Sequence, residues 1–249
     1  MARNYYQLVC ADLPIAYQFI YQDTIQYFKG YIVESDDIAQ INISLTNAYL
    51  EDNRWLVNAD EKSESFLEFQ ALMLKTGNSL LSHNRALFHG VALLWNNYAW
   101  LITAPSGTGK TTQLRHWKRL LKKDVTIING DKPALECKDD GTVWVYSSPW
   151  RGKEKYGHPN IKAKLGGIII LEQAKYNDMK PLAAEDAVIP LYVEFVSMPE
   201  TTEQIENQAE ILRSVLKSVP VWKLKNLGDE DSAILAINTL KTYYGWNNG

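Results

Sequence analysis

Eight residues near the middle of the chain, Ala104-Pro105-Ser106-Gly107-Thr108-Gly109-Lys110-Thr111, constrain the sequence more than any other stretch. They fit the Walker A pattern G-x-x-x-x-G-K-[ST] at every defined position except the first, where alanine replaces glycine. A polyphosphate needs many donors at short range, and backbone N–H groups supply them only where side chains do not intrude. Gly107 and Gly109 allow that approach and accept backbone angles closed to other residues. Apolar residues 99–103 precede the loop, and a segment with Leu114, Trp117, Leu120 and Leu121 on one face follows it. The order is strand, loop, helix, and the helix aims its positive end at the loop. Ser106, Gly107, Thr108, Gly109, Lys110, Thr111 and Thr112 are therefore expected to cradle the phosphates of a nucleotide. Lys110 would reach the β- and γ-phosphates, and the Thr111 hydroxyl would ligate Mg²⁺.

A phosphate loop alone leaves the chemistry open, since catalysis also needs a carboxylate near the metal or the nucleophile. Asp131 follows Lys110 by 21 residues, just past the apolar run 125–129. If that run is a parallel strand next to the one feeding the loop, its carboxyl end brings Asp131 to the phosphates, as catalytic acid and metal ligand. Lys132 beside it would offset phosphate charge or face water. Arg151 and Lys153 flank Gly152 in a later loop and suit γ-phosphate or acceptor, arginine having a planar fork that bonds oxygens in pairs.

The chain of 249 residues is long enough to bury roughly 70–75% of its unfolded surface without metal or disulfide. A formal net charge of −3 lacks the basic excess that sequence-blind nucleic-acid or anionic-lipid binding needs. No run approaches a membrane span of about 20 apolar residues. The start, Met1-Ala2-Arg3-Asn4-Tyr5, carries no signal-peptide core. Cys10 and Cys137 fit no metal spacing and read as buried thiols in a reducing compartment, so a cytoplasmic protein is expected. The 14 Tyr and 8 Trp suggest extensive contact surface. His83, His116 and His158 form no metal-ligand set.

Two regions are expected. Residues 1–84 show short apolar runs at 5–11, 15–20, 25–28, 38–45 and 54–57, the texture of a β-rich unit, then a linking helix capped by Ser65 and stopped by Gly77-Asn78. Residues 85–249 read as α/β. They hold strands at 86–95, 98–103, 125–129, 133–137, 142–147 and 165–171, with the last buried on both faces, and another at 221–224. Helices are expected at 109–123, 185–195, 201–217 and 229–243.

Beyond the loop, Leu87-Phe88-His89-Gly90-Val91-Ala92, Ile127-Ile128-Asn129-Gly130-Asp131-Lys132, Ser148-Pro149-Trp150-Arg151-Gly152-Lys153 and Ile168-Ile169-Ile170-Leu171-Glu172-Gln173-Ala174 complete a pattern over residues 86–240. It resembles the HPr kinase/phosphorylase family, above all shorter members that phosphorylate ribosomally made precursor peptides. The resemblance implies a phosphoenolpyruvate-carboxykinase-like nucleotide domain, ATP with Mg²⁺, phosphoryl transfer to a hydroxyl, and frequent homo-oligomers. It places His89 close to metal or phosphate and Asp131 on the family's paired-Asp motif. The chain departs there, having Gly130-Asp131 where the family has Asp-Asp. If Asp131 matches the second acid, Gly130 stands where the family has its base, and His89 or a substrate group must serve instead. Two functions follow: a kinase acting on a peptide or small-protein hydroxyl, with Asp131, His89 and Lys110 catalytic, or a nucleotide-dependent binding module with little turnover.

Overall fold

A computed structural model describes residues 5–34, 38–58 and 63–246; residues 1–4, at the chain start, lie outside it. Alternating apolar residues on either side of Ala11-Asp12, both with positive φ, form a hairpin of β1 (Tyr5–Cys10) and β2 (Leu13–Gln18). With β3 (Ile32–Val33) and β4 (Ile41–Ser44) they make a four-stranded sheet ordered β3-β1-β2-β4, followed by α1 (Asn47–Asp52). The apolar runs at 25–28 and 54–57 are 3-10 turns rather than strands, spanning Gln22–Phe28 and Arg54–Leu56. The first curls because the buried Glu68 carboxylate accepts from the N–H groups of Ile20 at 2.6 Å and Tyr21 at 3.0 Å, and from the Thr24 hydroxyl.

Glu68 belongs to α2 (Glu64–Leu81), whose cap is Ser63, not Ser65: the Ser63 hydroxyl accepts from the Phe66 N–H at 3.2 Å. Gly77-Asn78 does not end this helix. A Cβ on Gly77 would lie 1.8 Å from the Val196 carbonyl oxygen, while the Asn78 carboxamide bonds both the N–H and the carbonyl of Met198 at 2.7 Å. These residues dock a neighbouring segment instead of terminating the helix.

The remaining chain forms β5 (Arg85–Leu87), β6 (Val91–Trp95), β7 (Tyr98–Thr103), α3 (Lys110–Leu121), β8 (Val125–Asn129), β9 (Ala134–Cys137) and β10 (Val143–Tyr146). It continues through β11 (Lys162–Gln173), β12 (Asp178–Pro181), α4 (Ala184–Tyr192), α5 (Thr202–Ser218), β13 (Val221–Asn226) and α6 (Glu230–Tyr243). One sheet runs β8-β6-β7-β11-β13-β12, with β7, β11 and β13 parallel and β6 antiparallel to both neighbours. Alternation divides its side chains. Trp100, Ile102 and Ile169 pack with Trp117 of α3 and Leu240 of α6, whereas Leu101, Ile168 and Ile170 pack with Leu191 of α4 and Val215 of α5. The β11 run is thus covered on both faces, and the fold is α/β.

The start of β11 also pairs with β10, which leads through β9 to β5. The chain therefore passes from one sheet to the other twice side by side, from β5 to β6 and from β8 to β9. The Gly90 N–H donates to the Asp131 carbonyl at 2.8 Å and the Phe88 N–H to the Pro133 carbonyl at 2.9 Å, which joins the two crossings. The single strand expected over 86–95 is thus broken at Phe88-His89-Gly90, where a Cβ on Gly90 would sit 2.9 Å from the Ile102 carbonyl oxygen.

The tryptophans serve the interior more than the surface: Trp95, Trp100, Trp117, Trp150 and Trp222 are buried, and Trp55 alone is fully exposed among the described tryptophans. Cys10 is buried and Cys137 half-buried; both thiols are pushed up to about 12, first by burial. Among the described residues no helix is long and apolar enough to cross a membrane.

Helix propensity alone predicts that Gly77→Ala stabilises by about 1 kcal/mol. The contact with Val196 reverses that sign: we expect a loss of roughly 2–3 kcal/mol in urea unfolding.

Candidate active site

β7 ends at Thr103 and α3 starts at Lys110, so residues 104–109 form the loop between them. Gly107 and Gly109 have φ of +82° and +112°, and a Cβ on either would meet nothing within 4 Å. The left-handed backbone, not crowding, calls for glycine there. Ala104 needs no such conformation, is not among the residues with positive φ, and is buried, so alanine is accommodated without backbone strain. Gly109 is the N-cap of α3 and no side chain caps the first turn, which borders a cavity of about 500 Å³. The Lys110 ammonium donates to the carbonyls of Ala104 at 2.6 Å and Pro105 at 3.3 Å. Burial holds its pKa below the ordinary lysine value; nearby Lys132 pushes the same way, and Glu194 and Asp131 oppose.

Asp131 is aimed by Asn129. The Asn129 carboxamide, wholly buried, accepts the N–H groups of Asp131 and Lys132 at 2.8 Å each and donates to the Ser148 carbonyl at 3.1 Å. One Asp131 carboxylate oxygen takes the Lys132 ammonium at 2.9 Å and lies 3.7 Å from Nε2 of His89. β8 does not neighbour β7 as expected from the sequence, because β6 lies between them; Asp131 still reaches the side of the loop over residues 104–109, since β8 and β7 run in the same direction two places apart.

His89 stands at the centre of this crossing. Its Nδ1 pairs with a Glu194 carboxylate oxygen at 2.7 Å, its N–H donates to the Glu194 carbonyl at 2.7 Å, and its carbonyl accepts the Thr103 hydroxyl at 2.7 Å. The Glu194 side chain is only 5% exposed. Short segments on either side of residues 87–90 thus bring two carboxylates to one imidazole.

The cavity gathers His89, Ser106, Gly107, Gly109, Lys110, Thr111, Thr112, Asp131 and Arg151, together with Lys153. Thr108 does not border it; its N–H turns back to the Pro105 carbonyl at 3.3 Å. Arg151 donates to the Gly157 carbonyl at 2.9 Å, and its buried Nε has no hydrogen-bond partner among the described residues. Glu172 lies apart from the cavity lining and pairs with Lys223 at 3.0 Å. Among the described residues no group of three or more His, Cys, Asp or Glu could hold a metal unaided. A hydroxyl at Thr111 and a carboxylate at Asp131 still fit Mg²⁺, which commonly takes one or two protein ligands and fills its shell with phosphate oxygens and water.

Sequence reasoning passed over Asn129 and Glu194. Asn129 had a signal, being the polar end of an otherwise apolar strand; Glu194 had a weaker one, an acid set between Val193 and Phe195-Val196.

No protein-family model matches the chain, and no curated protein matches it in sequence. Among solved structures, the Hpr(Ser) kinase/phosphatase from Coxiella burnetii aligns with 64% of this chain and 95% of its own, at 12% identity and a TM-score of 0.36. A likeness of that size bears on neither activity nor substrate.

Gly130 has no room for the second acid of a pair. A Cβ there would fall 2.8 Å from the Tyr156 Cβ and 3.0 Å from the Arg151 carbonyl oxygen. Gly130→Asp is expected to destabilise by roughly 1–3 kcal/mol in urea unfolding, without raising turnover.

Proposed function

We propose that the protein is an ATP-dependent phosphotransferase that passes the γ-phosphoryl group to a hydroxyl, a serine of a peptide or small protein. Residues 85–249 serve as a phosphoenolpyruvate-carboxykinase-like nucleotide region, and residues 1–84 form an attached β-rich region. The supporting observation is a glycine-shaped loop and an uncapped helix start bordering the same cavity as Asp131. A cytoplasmic setting and self-association belong to the same proposal.

Loop amides, Lys110 and Thr112 hold the triphosphate, and Arg151 adds a fork to the far side of the cavity. When bound, Mg²⁺ neutralises charge on the phosphates, held by Thr111 and Asp131. Asp131 takes the proton of the acceptor hydroxyl as its oxygen bonds to the γ-phosphorus and ADP leaves. His89, held through Nδ1 by the Glu194 carboxylate, turns Nε2 toward Asp131 at 3.7 Å and acts as a positioning residue beside it. Most of the rate then comes from positioning and electrostatic stabilisation.

The second reading, a nucleotide-dependent binding module, is favoured by glycine at position 130. Turnover with γ-labelled ATP, Mg²⁺ and serine peptides separates the two. Asp131→Asn is expected to lower turnover by about 10²–10⁴-fold while affinity for nucleotide without Mg²⁺, by calorimetry, stays near that of the parent. Absence of labelled product from the parent chain, under conditions where ATP binds, leaves the binding module.

Lys110 supplies a pH signature. Burial disfavours its charged form and phosphate favours it, so nucleotide affinity is expected to fall as pH rises through the depressed Lys110 pKa. For the ligand-free fold the sign is opposite, because deprotonation relieves the burial penalty. Calorimetry and urea unfolding over the alkaline range check both signs.

A further inference from the structure

A second cavity of about 350 Å³ shares a wall with the phosphate cavity, and Asp131, Arg151, Gly152 and Lys153 border both. Its other side is aromatic. Phe66, Phe69 and Met73 come from one face of α2, Tyr27 from the 3-10 turn held by Glu68, and Trp150 from the loop before Arg151. Phe69 stacks on Tyr27 with ring centroids 4.8 Å apart and on Trp150 at 5.7 Å, and the Trp150 indole N–H donates to the Phe69 carbonyl at 3.0 Å. The wall is therefore preformed.

A pocket of this size, mostly aromatic with a few convergent polar groups, fits a small apolar body whose orientation those groups fix. The polar groups are specific. Asp131 at the shared wall is the group that receives a hydroxyl proton in the proposed reaction. Lys153 and Lys155 are cations at the exposed lip, and the buried Arg151 Nε is a donor without an acceptor among the described residues. An occupant that satisfies them carries an aromatic ring, a hydroxyl one residue away, and negative charge toward the lip. Because Gln26, Lys153 and Lys155 are all exposed, the mouth lets a chain continue outward on either side of the ring.

We infer that this pocket is the acceptor site and that it takes an acidic peptide segment in which an aromatic residue adjoins the serine. The inference rests on the phosphotransferase reading for the role of Asp131, but the pocket's affinity for such a peptide does not. The probe is an acetylated, amidated tripeptide of glutamate, para-fluorophenylalanine and serine, followed by fluorine NMR against the full chain. Line broadening is expected with the parent protein. Gln70→Trp, which fills the pocket from α2, is expected to weaken binding by about tenfold or more, a loss of about 1.4 kcal/mol, with ATP affinity by calorimetry unchanged within about twofold. Gln26→Trp, at the exposed mouth beside Tyr27, blocks entry and serves if the first variant fails to fold. With turnover as readout, replacing the aromatic residue of the peptide by alanine is expected to cut phosphorylation by a similar factor.

Absence of broadening at millimolar peptide, or equal broadening with the blocked variants, overturns the inference. A parent chain that binds nucleotide and phosphorylates alanine and aromatic peptides equally also overturns it, yet leaves the kinase reading intact. Conversely, a chain that binds the tripeptide in a Gln70-sensitive way but never transfers label keeps the pocket and loses the kinase reading.

Discussion

The buried carboxamide of Asn129 is the constraint on which the site depends. Its oxygen holds two consecutive backbone N–H groups, those of Asp131 and Lys132, and its nitrogen binds Ser148. Removing it would take this acceptor from the Asp131 N–H, at about 1–3 kcal/mol, whereas the Lys132 N–H also donates to the Trp150 carbonyl at 3.0 Å. It would also release the turn that points Asp131 at the cavity. The Ser148 hydroxyl in turn donates to the Lys132 carbonyl at 2.5 Å, so the turn is tied at both ends to the loop that carries Trp150 and Arg151.

This arrangement exists because two strand pairs change sheets at the same place. Residues 88–90 and 130–133 lie side by side where β5 gives way to β6 and β8 to β9. Backbone groups there are partly freed from ladder pairing, so the side chains of Asn129 and Thr103 and the backbone carbonyl of Glu194 take over their satisfaction. The polar network of the site is thus also what makes the bend acceptable. The glycines at 90 and 130 allow close approach, a Cβ at Gly90 lying 2.9 Å from the Ile102 carbonyl oxygen and one at Gly130 lying 3.0 Å from the Arg151 carbonyl oxygen.

The glycine-containing loop over residues 104–109, its flanking strand and helix, and most elements of the second half were legible in the sequence, because periodicity and glycine placement report local geometry. Asp131 was legible for the same reason, as the first acid after an apolar run. What escaped was long-range. Glu194 lies 105 residues from the imidazole it binds, and only the bridging of residues 194–196 to 87–89 brings them together. Gly77-Asn78 read as a stop because local propensity says so, whereas tertiary docking against Val196 and Met198 overrode it. The runs at 25–28 and 54–57 have strand-like composition, but Glu68 in one case and a tight turn in the other gave them 3-10 geometry.

Residues 151–153 are a partition with a face in each of the two cavities, and Gly152, at φ +74°, sits in it 3.0 Å from the Asp131 Cβ if given a Cβ of its own. Any displacement of that partition by an occupant on one side is felt on the other. Thermodynamic reciprocity then requires that whatever one occupant does to the other's affinity be returned in equal measure.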